Sequence, residues 1–269
     1  MNYGKEKIKV YRTYATPLEG VEPIPESSFE GRPNTLFGMD LRVQVEGEAF
    51  LASFSEGDNS MVVATDSMKN FVQRHLGDYQ GATLEGFLEF VGAALLETYD
   101  QMESVSVSAT EIPFEERPVP GDDGFEASEL VFGVSDGEAA YGELSLDAGE
   151  DGPVLDDQLS GVTDIELVKV KDNSFTGFVQ DEYTTLPERE NRTLYVAMDI
   201  FWQYADPEAA LGEEPDRYVP AEQVRDIAQV VFDELDVNSI QDLIYRIGLR
   251  VLERFEGLES VSFEANNRT

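Results

Sequence analysis

The chain has 269 residues, 41% of them hydrophobic and 10% aromatic, enough for a packed core and unlike a disordered acidic tract. It carries 55 acidic residues against 19 basic ones, a formal net charge of −36, which repels nucleic acid and anionic membranes. No cysteine and a single histidine exclude disulfides, thiolate sites, cysteine nucleophiles and metal centres of the His-rich kind.

Leu41, Val43 and Val45 alternate with polar residues as a half-buried strand should. A helix follows from about Ser67 to Leu76, with Met68, Phe71, Val72 and Leu76 on one face. Another runs from Thr83, with Leu84, Phe87, Leu88, Val91 and Leu95 at helical spacing. Strand Val105–Ala109 closes this unit, and a further strand is predicted near Ser128–Val134. Leu167–Val170 and Leu194–Trp202 again read as strands. Val224, Ile227, Val231 and Leu235 mark one helix, and Ile240, Ile244, Ile247, Val251 and Phe255 mark the next; Ser260–Glu264 is the closing strand.

The two series are copies of one pattern. Leu96–Ala109 aligns with Leu252–Ala265 at an offset of 156, and Asn34-Thr-Leu-Phe37 aligns with Arg192-Thr-Leu-Tyr195 at nearly the same offset. A period this long means two domains rather than a solenoid. Each is an α+β unit, two strands then two helices then more strand, with helices on one face of an antiparallel sheet. The acid-rich Asp147–Asp157 segment, with Gly149, Gly152 and Pro153, is the expected boundary, giving units 1–150 and 151–269. Glu116–Asp123 and Asp206–Pro215 read as solvated connections.

Met61-Val-Val-Ala64 runs into a helix whose expected cap is Asp66 or Ser67. Free N–H groups at that helix start favour an anion, and Thr65 offers a hydroxyl there, although a plain N-cap is the commoner reading of such a segment. Ser239-Ile-Gln-Asp242 is a capping-box-like helix start with Gln241 in its first turn. Arg192 opens a strand, where a guanidinium can bind a planar anion bidentately or form a surface ion pair. Lys5 and Phe175 carry no signal of their own.

Tyr3-Gly-Lys5, Gly57-Asp-Asn-Ser60 with Val63-Ala-Thr-Asp-Ser-Met-Lys-Asn70, and Phe175–Glu188 resemble the signature segments of urate oxidases. Ser239-Ile-Gln241 and Asn267 fit in order and spacing, so the resemblance spans nearly the whole chain and is strongest to bacterial members. It implies tandem tunnelling-fold units, a homotetramer whose subunits pair into barrels with active sites between them, and oxidation of urate by O2 without metal or organic cofactor. By the same resemblance Lys5 and Thr65 form the proton-relay pair, and the Asp66 N–H contacts the purine. Arg192 and Gln241, from the partner subunit, grip opposite edges of urate, assisted by the Ile240 N–H. Phe175 stacks on its flat face, and Asn267 holds O2, peroxide or water above the ring.

Many members of that family place a histidine two residues after the asparagine. Here Arg268 and Thr269 follow, and the only histidine, His75, reads as a surface residue of a helix. The relay is then Lys5–Thr65 with water, or Thr269 substitutes. Relatives continue past this point, so a C-terminal tail beyond Thr269 is expected. A catalytically inactive purine-binding or structural tunnelling-fold protein is the alternative. A cyclohydrolase-type enzyme of the same fold generally needs His or Cys metal ligands that this sequence lacks.

Acids are spread over the whole chain, and Lys (6) is scarcer than Arg (13). This reads as a cytoplasmic protein adapted to high salt, since near 1 M the Debye length of about 3 Å removes most self-repulsion. No apolar run approaches the roughly 20 residues that span a bilayer, and neither end reads as a secretory leader or a peroxisomal address.

Overall fold

The structure is a computed structural model describing residues 1–121 and 124–268, the side chain of Arg268 excepted. Asp122, Asp123 and Thr269 lie outside the described residues, and with them the suggestion that Thr269 completes the relay.

Seven strands form one antiparallel sheet. They are β1 (Asn2–Thr13), β2 (Leu36–Glu46), β3 (Ser104–Glu111), β6 (Ala139–Gly149), β7 (Gly152–Lys169), β8 (Leu194–Tyr204) and β9 (Leu258–Arg268), in that spatial order. Strands β4 (Phe114–Gly121) and β5 (Gly124–Val134) form a separate hairpin. Between β2 and β3 the chain makes α1 (Leu51–Ser55), α2 (Thr65–Asp78) and α3 (Leu84–Thr98). Between β8 and β9 it makes α4 (Ala221–Glu234) and α5 (Ile240–Arg254).

Burial follows the sequence pattern. Val43 and Val45 of β2 are fully buried beneath Met68, Val72, Leu88 and Leu95 of α2 and α3, in a cluster drawn from residues up to Leu146. A second cluster, from Val162 onward, packs Val196, Ile200 and Trp202 of β8 under Val224, Ile227, Leu243 and Ile247 of α4 and α5. Both helix pairs exist because their apolar residues recur every three or four positions and must be covered by the sheet.

The copies share fine detail. In β1 the register with β2 shifts between Lys5 and Ile8, with Lys7 at φ 60°. In β7 the register with β8 shifts between Val162 and Ile165, with Asp164 at φ 60°. Each is a β-bulge at the same place, 157 residues apart. Arg12 donates to the carbonyls of Leu76 (3.0 Å) and Tyr79 (2.6 Å) at the end of α2. Lys169, also 157 residues on, donates to those of Phe232 (3.0 Å), Asp233 (2.9 Å) and Leu235 (2.6 Å) at the end of α4. Each cation caps the negative end of its helix.

The acidic stretches take regular structure. Asp147–Asp157, the expected boundary, forms the tip of the β6–β7 hairpin, where Gly149 pairs with Gly152. Glu116–Gly121 belongs to β4, whose side chains are mostly exposed, so no apolar alternation announced a strand. Asp206–Pro215 includes a short 3-10 helix, Pro207–Leu211, that buries Ala209 and Ala210.

Candidate functional site

The eight candidate residues fall into two groups at opposite edges of the sheet. At the first edge, Lys5 lies on β1 opposite Val43. Opposed residues share a face, so Lys5 points to the helix side, although it is exposed on a single chain. Gly4 brings β1 close to β2; a Cβ there would lie 2.1 Å from the Val43 carbonyl oxygen. Helix α2 starts at Thr65, earlier than expected, with Ala64 as its N-cap and no side-chain capping bond. Asp66 and Ser67 are therefore inside the first turn, and the Asp66 carboxylate accepts from Asn70 Nδ2 at 3.2 Å. The first intrahelical bond runs from Met68 N–H to the Ala64 carbonyl (3.2 Å), leaving the N–H groups of Thr65, Asp66 and Ser67 at the positive end of the helix.

At the second edge, a long loop is docked on the segment that leads into α5. Asn173 bridges Val237, the Ser174 N–H donates to the Val237 carbonyl (2.9 Å), and Asn238 Oδ1 accepts from Ser174 Oγ (3.2 Å) and the Thr176 N–H (3.3 Å). This fixes Phe175 near the start of α5. Arg192 does not open β8 but lies two residues before it. Its N–H donates to the Asn173 carbonyl (2.8 Å), and its own carbonyl accepts from Asn173 Nδ2 (3.3 Å). Its guanidinium carbon is 5.1 Å from the centre of the Phe175 ring, and its buried Nε has no acceptor among the described residues. Phe178 stacks on Phe175 at 4.5 Å. Ser239 caps α5, Oγ accepting from the Asp242 N–H at 3.1 Å. Its carbonyl takes the Leu243 N–H (3.2 Å), so the N–H groups of Ile240 and Gln241 lie ahead of the ladder. Asn267, on β9, pairs with Val196 of β8 and shares its helix-side face.

Six strand spacings of about 4.8 Å separate β1 from β9, roughly 29 Å. One chain therefore holds Lys5 and Thr65 far from Arg192 and Gln241.

The same positions of the repeat do meet where the two halves join. Offsets of 156 to 158 carry Lys5, Thr65 and Asp66 onto Val162, Ala221 and Glu222, and carry Arg192, Gln241 and Asn267 onto Asn34, Glu85 and Glu111. A cavity of about 510 Å³ is lined by Asn34, Glu111, Val162, Ala221 and Glu222, together with Arg32. Arg32 Nη1 bridges Glu111 (2.8 Å) and Glu222 (3.1 Å). Beside it the buried Glu85 carboxylate accepts from Ser160 Oγ (2.5 Å) and Tyr218 OH (3.2 Å). Burial pushes Glu85 up to about 7 in spite of these bonds. Sequence reasoning missed this network because its contacts span 75 to 190 positions; applying the repeat offset to the site residues finds it.

His75 is less exposed than expected of a surface residue. It is half-buried, stacked on Phe71 at 3.9 Å, with Nδ1 2.9 Å from the Phe71 carbonyl oxygen.

A profile of the uricase family matches residues 158–269. A uricase from Haloferax volcanii is 72% identical over all of this chain and 88% of its own length, and one from Halalkalicoccus jeotgali is 70% identical with the same coverage. A crystal structure of a uricase from Bacillus fastidious superposes with a TM-score of 0.97 at 49% identity, covering all of this chain and 85% of that one. Fold and site together define a tandem α+β protein of the tunnelling-fold class. The chain belongs to the uricase family.

Proposed function

We propose that this chain is a urate oxidase whose catalytic site is completed by a second chain. The observation that carries the second part is the separation of Lys5 and Thr65 from Arg192, Gln241 and Asn267 by the whole breadth of one sheet. A homotetramer whose subunits close barrels, with one edge of each sheet near the opposite edge of its neighbour, joins the two groups.

The reaction converts urate, O2 and water to 5-hydroxyisourate and hydrogen peroxide. Lys5, shielded from water by the neighbouring chain, takes a proton through the Thr65 hydroxyl or a water beside it, leaving an electron-rich urate dianion. The dianion passes electrons to O2, so neither metal nor organic cofactor is required. Arg192 presents an unpaired Nε–H to one edge of the ring, and its stacking on Phe175 pre-orients it. The Gln241 amide, with the Ile240 N–H, takes the opposite edge, and the Asp66 N–H contacts the purine from the other chain. Phe175 is backed by Phe178 and offers its ring as a stacking platform. Asn267 holds O2 or peroxide above the ring. The protein's contribution is positioning and proton removal.

The division into units 1–150 and 151–269, cytoplasmic location and adaptation to high salt are parts of the same reading. The net charge of −36 and the relatives from Haloferax volcanii and Halalkalicoccus jeotgali support the last. No helix among the described residues is long and apolar enough to cross a membrane.

The test is loss of urate ultraviolet absorbance in molar KCl, with peroxide assayed in parallel. Matching urate consumption and peroxide formation, unaffected by chelator, is expected. Tight urate binding without turnover would instead support an inactive purine-binding protein.

A further inference from the structure

We infer that Tyr3 is a positioning residue that sets the geometry of the Lys5–Thr65 pair by pinning the peptide of Val63 to strand β1. The inference rests on the relay reading of Lys5 and Thr65. The Tyr3 hydroxyl donates to the Val63 carbonyl (3.1 Å) and accepts from the Val63 N–H (2.8 Å), so one side chain satisfies both polar groups of one peptide residue. Tyr3 lies two residues before Lys5, and Val63 two residues before Thr65. On a strand, residues two apart share a face and lie about 7 Å apart, so Tyr3 and Lys5 both point toward the start of α2.

The pin falls on an irregular stretch. Segment 57–64 is mostly exposed apart from the buried Val63, and its further ties are the Asp58 N–H on the Ala52 carbonyl (3.2 Å), Gln101 Nε2 on the Met61 carbonyl (3.2 Å) and the Met68 N–H on the Ala64 carbonyl (3.2 Å). The phenol is held in turn by edge-to-face packing on Phe50, with ring centres 5.0 Å apart, and Phe50 is fully buried. Burial of the Tyr3 ring raises its pKa, so the hydroxyl stays protonated and keeps both bonds across the neutral range.

The second half supplies an internal control. Val219 is the repeat counterpart of Val63, and its N–H is likewise held by a tyrosine hydroxyl, Tyr204 OH, at 2.9 Å. That tyrosine comes from β8 rather than from the strand matching β1, where Ser160 occupies the position of Tyr3. Anchoring the entry to the first helix of each pair is thus common to both halves, but only in the first half does the anchor stand on the strand that carries the lysine.

Tyr3→Phe keeps the ring on Phe50 and removes both hydrogen bonds. It is expected to lower kcat about ten- to hundredfold, with KM changed less than about threefold, because substrate grip comes from the other edge. Tyr204→Phe removes the matching anchor and is expected to lower the Tm with kcat unchanged. The discriminating measurement is a double-mutant cycle with Thr65→Ala. If Tyr3 acts through the relay, Tyr3→Phe costs at most about twofold in kcat once Thr65 is gone. An equal loss of kcat in both backgrounds, or a loss shared by Tyr204→Phe, would overturn the inference. If Thr65→Ala and Lys5→Met themselves leave kcat intact, the relay reading fails. If they abolish it while Tyr3→Phe does nothing, this inference alone fails.

Discussion

The two halves of the chain place equivalent residues in equivalent geometry and use them oppositely. At the edges of the sheet the positions carry the polar side chains of Lys5, Thr65, Arg192, Gln241 and Asn267, and the buried Arg192 Nε has no acceptor among the described residues. At the internal seam the counterparts are Val162 and Ala221, which are apolar, Glu85, which accepts hydrogen bonds from Ser160 and Tyr218, and Glu111, which is ion-paired with Arg32. The arrangement that brings the two groups of positions together is therefore already displayed inside one chain. There it holds the halves together with no lysine to take a proton. In the function proposed above, reactivity is kept for the sheet edges, where a second chain completes the site.

The largest effect expected from breaking this contrast is on the relay. Lys5→Met should lower kcat by about 10²–10⁴-fold while altering urate affinity little, as steady-state kinetics in molar KCl will show. The counterpart change at the seam should behave the other way. Arg32→Met leaves Glu111 and Glu222 facing each other with little water access, at a cost of about 3 kcal/mol, read as a lower midpoint in chemical denaturation. Its kcat should be unchanged in whatever fraction remains folded.

Glu85 sharpens the contrast through pH. Its carboxyl is raised from about 4.5 to about 7, so folding favours the protonated form. The associated stability is complete below about pH 4.5 and is lost as pH rises through about 7, a span of roughly 2–3 kcal/mol. Glu85→Gln should flatten that part of the stability–pH curve. Glu26 has the opposite sign. The guanidinium of Arg254, helped by Arg250, holds its carboxyl near 2, joining the β1–β2 connection to α5. The stability it contributes is present above about pH 4.5 and lost as pH falls toward 2, so Glu26→Gln should reduce the drop in stability over that range by about 1 kcal/mol, a partly exposed pair being screened.

Much of the fold was legible because its signals are local. The period of two in Leu41–Val45 and of three to four in Leu84–Leu95 are consequences of facing one core, and the repeat at offset 156 then predicts two such units. What stayed hidden lacks a local signature. Strand β4 is wet on both faces, so Glu116–Gly121 shows no alternation. The Asp147–Asp157 segment has turn chemistry that fits a linker and a hairpin equally. His75 sits on a helix of modest apolar character, and its burial depends on Phe71 of the previous turn. For the site, local reading saw only two helix starts and a lone arginine. The family motifs supplied the roles. The structure adds the bonds of Asn173 and Asn238 that hold Arg192 and Phe175, which no spacing in the sequence reveals.

In the function proposed above, Lys5 and Arg192 act on one urate from different chains. Lys5→Met and Arg192→Ala proteins, each nearly inactive alone when assayed at urate well below the wild-type KM, can be dissociated together and reassembled in high salt at equal amounts. Random mixing gives about a quarter of the between-chain sites both native residues. Recovery of about a quarter of wild-type activity is the expected result. Activity no greater than the sum of the two variants, in assemblies shown to contain both chains, would contradict it.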